Sequence, residues 1–359
     1  MQLPALEIVR KSLVSIGYDA AVVSHLPHIR RITGFTGSNA LLFVSRRDAL
    51  LLTDGRYSDQ VARETQNVEY SIESGSLVES ILEKSVVQGN STVAVQGEYL
   101  VAQDFARIES FLHSHGANAV LTKDWLQAVF AAKSDGEIES IRQAQAITDR
   151  VLEQIPGLIR KGITEKELAA EIVHLHMIAG ADRMSFDPIV AFGENSALPH
   201  ARPTLRTLRH NEPVLIDMGC FNDGYASDMT RMIYYGRPDP KFLQIHGIVL
   251  ESKRRAIDSV RAGLSCRGLD EMARSHIRSS GYEDKFVHSL GHGVGLEVHE
   301  YPSVSTRSAA HLEKGMVITI EPGIYLTGEF GVRVEDIVAV GLDGCDVLTS
   351  SPSELLVVE

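Results

Sequence analysis

Acidic residues recur among apolar neighbours in two stretches of this sequence. Residues 214–233, VLIDMGCFNDGYASDMTRMI, form two strand-like arms on either side of a turn-forming cluster, Asn222-Asp223-Gly224. A turn centred on Asn222-Asp223 sets Asp217 directly opposite Asp228, where like charges repel. Residues 318–340, ITIEPGIYLTGEFGVRVEDIVAV, repeat the arrangement, and a turn centred on Gly328 sets Glu321 opposite Glu335. Between the hairpins lies HSLGHGVGLEVHE (288–300), dense in histidine and glycine, which can bring backbone and imidazole close to a shared centre. Four carboxylates with no matching cluster of Lys or Arg require a cation. Oxygen donors with one imidazole suit Mn, Co, Fe or Zn. Four acidic groups exceed the charge of one divalent ion, so two ions about 3.5–4 Å apart are the expected solution. Singly, each residue has an ordinary explanation: an Asp beside a turn is usually a cap, and a short glycine run usually marks a turn. The constellation carries the inference.

On these residues the chain resembles the creatinase/aminopeptidase P/prolidase family of pita-bread metallopeptidases, closest to Xaa-Pro aminopeptidase. The motifs are Asp217, Asp228 eleven residues later, His292 in GHGVGLEVHE, Glu321 in TIEPGIY and Glu335 in GVRVED. The resemblance spans essentially the whole chain. It implies an α/β N-terminal creatinase-like domain, residues 1–125, followed by an α+β pita-bread catalytic domain, residues 126–359. It further implies two divalent ions, Mn foremost with Co, Fe or Zn as alternatives, and a water they activate. Asp228 and Glu335 would bridge the ions, Asp217 would complete one shell, and His292 and Glu321 the other. Glu321 is expected to shuttle a proton, and Thr230 to orient Asp228. His200, in NSALPHARPT, and His299, in GLEVHE, resemble the family's outer histidines that hydrogen-bond the substrate. His288, Val298, Tyr325 and Arg333 resemble the wall of a proline-accepting pocket. Tyr325 and Val298 have core packing as the rival explanation, and Arg333 an ion pair with Glu335.

The segments SFDPIVAFG and TGFTGSN…LLTDGRY look like the aminopeptidase P branch, which removes an N-terminal residue preceding proline. The prolidase branch, which cleaves X-Pro dipeptides, often carries an arginine in the turn after VHE. Here that turn reads YPSVS with Ser303, which favours the aminopeptidase and keeps the dipeptidase as the alternative. A metal-free peptide-binding or creatinase-like relative is the remote alternative, since it would need the acids repurposed. The family resemblance also implies a homodimer.

Elements at regular intervals must position these residues. The first part alternates strand-like runs (20–24, 40–45, 49–54, 68–73, 92–96) with helical stretches near 58–66, 77–87 and 102–114, which predicts a layered α/β domain. RRITGFTGSNA is expected to be a loop. Capping boxes at Ser134/Glu137 and Thr164/Glu167 predict helix starts in the second part. His174 and His176, on the second of these helices, are expected to be structural. The net charge of −12 argues against nucleic-acid partners. No apolar run approaches the ~18 residues of a membrane span. Three widely separated cysteines, Cys220, Cys266 and Cys345, suggest no disulfide framework and a cytoplasmic setting. The expected partners are proline-containing peptides.

Overall fold

A computed structural model describes residues 4–85, 87 and 89–359. Two compact units divide the chain, Met1–Phe130 and Ala131–Glu359. The first is built on a six-stranded mixed sheet, in the order Glu69–Glu73, Ala49–Asp54, Ala40–Ser45, Ala20–Val23, Thr92–Gln96 and Asn118–Thr122. Side chains of a strand alternate between faces. Ala21 and Val23 therefore join Leu6, Val9 and Leu13 of the Ala5–Ser15 helix, while Ala20 and Val22 join Ile81, Ile108 and Leu112 of helices Leu77–Lys84 and Ala102–Ser114. Burial on both faces explains why Ala20–Val23 is apolar throughout.

The elements that the sequence pattern does not predict include a helix and an edge strand of the first unit. Arg30–Thr33, expected as loop, close a helix over Leu26–Thr33. Pro27 opens that helix, and Gly34 ends it at φ 85°, a left-handed cap that glycine adopts without penalty. Asn118–Thr122 is a sixth strand at the sheet edge, where Leu121 is exposed and the apolar alternation is correspondingly weak.

In the second unit both capping boxes form, starting helices Asp135–Leu152 and Glu165–Ile178. His176 is buried there, with Nδ1 at 2.9 Å from the Ile172 carbonyl and Nε2 at 3.3 Å from the Thr148 hydroxyl. One sheet runs Leu356–Val358, Met229–Tyr235, Glu212–Met218, Ile189–Phe192. A second runs Glu300–Val304, Gly291–Gly293, Val317–Ile320, Asp336–Val340, Cys345–Val347. The ribbon Gly323–Leu326 with Phe330–Arg333 continues from the second sheet. Helices Pro240–Ser259 and Cys266–Ser279 pack their apolar faces into the core that includes Leu215, Met232, Ile318, Ile320 and Val338.

Behind these sheets a buried ionic cluster joins the two hairpins to the chain's end. Arg231, 1% exposed, donates to the carbonyls of Glu335, Thr230, Ser351 and Pro352 and to Asp336 Oδ1, while Lys253 pairs with the other Asp336 oxygen. Removing one partner from a buried pair leaves the others uncompensated. Arg231→Met is expected to destabilise the protein by about 3–5 kcal/mol in denaturant unfolding. A loss below about 1 kcal/mol, the range of exposed pairs, would show that the cluster is not a clamp.

Candidate metal centre

The first hairpin turns one position later than the sequence suggests. Asp223 and Gly224 both have positive φ, 45° and 74°, so they form the centre of a two-residue hairpin turn of the kind Asp-Gly favours. Asn222 then pairs with Tyr225, and Asp217 lies opposite Thr230 rather than Asp228. Two-residue displacement preserves the face, so Asp217 and Asp228 become diagonal neighbours. Close strand approach at this point needs Gly219: a Cβ there would meet the Ser227 carbonyl oxygen at 2.0 Å.

The second hairpin keeps its expected register. Ile320 pairs with Asp336 and Gly323 with Arg333, so the same register sets Glu321 opposite Glu335 at the junction of the two ladders. His292 stands on the short strand Gly291–Gly293, and a Cβ at Gly291 would lie 2.0 Å from the Thr319 carbonyl oxygen. That glycine is what lets the histidine strand pass so close to the strand leading into Glu321.

Thr230 serves a different carboxylate from the one expected. Its hydroxyl donates to Glu335 Oε2 at 2.8 Å and accepts from Arg333 Nε at 3.0 Å. Arg333 pairs with Asp217, at 2.6 Å, and not with Glu335. Its remaining donors reach the Pro199 carbonyl at 3.1 Å and the Tyr325 hydroxyl at 2.8 Å. Among the described residues one guanidinium therefore lies among the four carboxylates, and three of them are left without a cation of their own.

Several donor atoms here have nothing to bind. Asp217 Oδ1, Asp228 Oδ1 and Glu335 Oε1 are buried without a hydrogen-bond partner. His292 Nδ1 lies 3.1 Å from the Gly293 carbonyl, which can only accept, so Nδ1 carries the proton and Nε2 presents a lone pair. Burial, with the His299 ring as a lesser cause, lowers His292 to about 3 and keeps it neutral. Its Nε2 faces Glu321 Oε1 at 3.4 Å and Asp228 Oδ2 at 3.6 Å, an assembly of electron-rich atoms that only a proton or a cation reconciles. One donor atom each from Asp228, His292 and Glu335 lies within 4.8 Å of the others, the scale set by two metal–ligand bonds of about 2.0–2.2 Å. This donor set fits a divalent cation. Thr319 steadies it: its hydroxyl accepts from the His292 N–H at 3.1 Å and donates to Glu321 Oε1 at 3.2 Å.

The cluster opens into a cavity of about 690 Å³ that His200, His288, His299 and Arg333 also line. The His299 ring lies 4.2 Å from that of His292, centroid to centroid, and both His200 and His299 are exposed. The Tyr325 hydroxyl donates to His288 Nε2 at 2.9 Å, while His288 Nδ1 lies 2.8 Å from the Ser289 carbonyl. Tyr325 is thus buried behind His288 and Arg333 instead of lining the cavity. Val298 is also absent from the cavity wall and packs against the cluster containing Phe221, Val294 and Ile337. Phe186, Ile189 and Arg202 line the cavity without having been singled out by sequence reasoning. Arg202 stands two residues after His200 in the same NSALPHARPT motif, which was the available signal.

Two family profiles match the chain: Creatinase/Prolidase N-terminal domain over residues 6–129 and Metallopeptidase family M24 over residues 139–341. An uncharacterized peptidase of Bacillus subtilis, YqhT, is 32% identical over 98% of this chain and 99% of its own length. Among solved structures, an Xaa-Pro dipeptidase from Bacillus anthracis aligns at a TM-score of 0.93 and 32% identity, covering 98% of this chain and 99% of the other. An X-Pro aminopeptidase from Thermotoga maritima aligns at 0.86 and 35% identity, covering 97% and 100%.

Burial is the largest cause that raises the Asp228 and Glu335 carboxyls well above the usual range and Glu321 to about 8; neighbouring carboxylates add to it. Glu321 therefore binds its proton more tightly folded than unfolded, so its stabilisation is present below about pH 4 and is lost as pH rises through about 8, and the raised Asp228 and Glu335 carboxyls act in the same direction. Buried histidines act in the opposite sense, since burial lowers His288 and His292 to about 3, but only up to the unfolded imidazole value of about 6.5. Above about pH 7 the carboxyl effect acts alone. The Tm of chelator-treated protein is expected to fall between about pH 7 and about pH 8.5, and saturating Mn²⁺ should remove the fall. A flat or rising Tm in chelator over that window would contradict the carboxyl assignment.

Proposed function

The chain belongs to metallopeptidase family M24, and on that premise we propose that it hydrolyses the bond between an N-terminal residue and a following proline. The observation that carries this reading is the convergence of orphaned carboxylate oxygens and a neutral imidazole lone pair on one wall of a histidine-lined cavity. Asp228 and Glu335 would each hold both of two divalent ions, with Asp217 on one and His292 and Glu321 on the other. Mn is the first choice, and Co, Fe or Zn accept the same donors. Such ions supply Lewis acidity, which acidifies water toward pKa 7 and polarises a carbonyl.

The chain's own groups do the rest. Glu321, whose carboxyl holds a proton up to about pH 8 before cations bind, moves the proton between water and the departing proline nitrogen. His200 and His299 present imidazoles to the cavity, where they hydrogen-bond the peptide and its developing negative charge. His288 has both ring nitrogens engaged, so it shapes the wall that accepts the proline ring. Arg333 lines the same wall, Tyr325 fixes both from behind, and Val298 contributes through packing alone. The metal-free alternative is disfavoured because it leaves the orphaned oxygens of Asp217, Asp228 and Glu335 without a purpose.

Aminopeptidase and dipeptidase readings share this bond and differ in whether the substrate continues beyond proline. Ser303 on the cavity wall supports the first, and the likeness to the dipeptidase of Bacillus anthracis supports the second. The proposal includes a cytoplasmic homodimer, supported by three free cysteines for the location and by the family resemblance for the dimer. Among the described residues no helix is long and apolar enough to cross a membrane.

Mn-loaded protein is expected to release the first residue from X-Pro peptides and to leave X-Ala peptides intact. Glu335→Gln and Asp228→Asn should lose bound metal together with turnover. His299→Ala should keep its metal content while kcat falls on the order of 10²–10⁴-fold. Equal cleavage of X-Ala and X-Pro peptides, or normal kcat in His299→Ala, would sink the corresponding assignment.

A further inference from the structure

His299 lines the cavity, yet nothing grips its ring. It is exposed, it makes no hydrogen bond with any described residue, and its ring contact among them is His292 at 4.2 Å. Its direction therefore comes from the backbone that carries it, the loop from Gly293 to Glu300. Loops over a cavity are ordinarily the mobile part of a fold. This one closes on a buried charge pair that the chemistry above does not use. Lys133, whose side chain is 2% exposed, donates to Glu300 Oε2 at 2.6 Å. The other oxygen, Oε1, accepts from the Glu297 N–H at 3.0 Å. Both partners are anchored. The Lys133 N–H donates to the Gly315 carbonyl at 2.8 Å, just ahead of the strand Val317–Ile320, and Glu300 opens the strand Glu300–Val304 opposite Gly293. Within the loop, the Gly295 N–H donates to the Glu297 carbonyl at 3.0 Å, and the Gly295 carbonyl accepts from the Ala226 N–H at 2.8 Å, just ahead of Asp228. Gly295 is also what admits the pair: a Cβ there would lie 2.6 and 2.8 Å from the two Glu300 oxygens and 2.8 Å from Lys133 Cε.

We propose that the Lys133–Glu300 pair is a positioning device for His299, and that Lys133, Glu300 and Gly295 act on turnover through that ring without touching substrate. The proposal rests on the substrate-facing role given to His299 above. Successive side chains of an extended chain point to opposite sides, so a Glu300 carboxylate fixed against Lys133 turns His299 the other way, toward the cavity. The bond from the Glu297 N–H closes residues 297–300 into a short ring that contains His299, which holds the histidine backbone from both sides. A buried ammonium–carboxylate pair suits the task, because separating it would leave each charge desolvated and alone. An anchor that served the fold alone would be indifferent to His299, and the test turns on that difference.

The experiment uses full-length protein carrying Lys133→Met, Gly295→Ala or the double change Lys133→Met with Glu300→Leu, each with and without His299→Ala. Lys133→Met leaves a buried carboxylate unpaired, the double change removes both charges, and Gly295→Ala keeps both but displaces them, so the comparison does not depend on any one variant folding. With Mn-loaded protein and an X-Pro peptide, the folded variants should keep their metal content and should lose kcat roughly tenfold to a hundredfold with little change in KM. In the His299→Ala background the same changes should cost less than about twofold more, because the ring they position is gone. A second readout needs no turnover: in chelator-treated protein with ¹³C-labelled histidine, wild type should show a nuclear Overhauser contact between the His292 and His299 rings, and Gly295→Ala should weaken or lose it. Equal fractional losses of kcat with and without His299, or an unchanged ring contact in every folded variant, would assign the pair to the fold alone and overturn the proposal. Absence of X-Pro hydrolysis by the wild-type protein would count against the functional reading, while the ring contact still decides the role of the pair.

Discussion

The arrangement depends on one electrostatic constraint: four carboxylates from two hairpins face one small space with a single guanidinium among them. Left alone, such a cluster must take up protons or spread apart, because desolvated like charges cannot all ionise. Burial and mutual repulsion push Asp228, Glu321 and Glu335 toward their protonated forms in the metal-free protein. A group of acids that must be neutralised, beside a histidine whose free nitrogen points at them, is a site built around cations that bring compensating charge.

Supporting contacts hold the cluster in that unfavourable arrangement. Arg333, Thr230 and Thr319 each join atoms from different strands, and Gly219 and Gly291 remove the Cβ atoms that would keep those strands apart. Adjacent residues show how sharply environment divides roles. Glu335 faces the cluster with one oxygen unpartnered, whereas Asp336, the next residue, turns to the other side and meets both Arg231 and Lys253. Those two cations hold the Asp336 carboxyl below its usual range against the opposing effect of burial. Two consecutive residues thus supply one acid that anchors the fold and one that waits for a ligand.

Much of this was legible in the residues, and the exceptions have physical causes. Glu321 and Glu335 could be paired because Gly328 marks a single turn and the ladder on both sides keeps one register. Asp217 and Asp228 were assigned to the right face but the wrong partners, because the Asp223-Gly224 pair with positive φ, and not Asn222-Asp223, makes the turn. Thr230's attachment to Glu335 arises where two hairpins meet, which no pattern within one strand contains. Val298 and Tyr325 sit in motifs dense with functional residues, yet tertiary packing turns them away from the cavity. Arg202 has the converse history: its type and position were visible, but its place on the cavity wall is a property of the folded surroundings alone.

The most direct test is anomalous X-ray diffraction from crystals of the Mn-loaded protein. The account predicts two anomalous peaks about 3.5–4 Å apart, both in contact with Asp228 and Glu335 and one of them with His292. Full occupancy elsewhere with no peak among these side chains would contradict it.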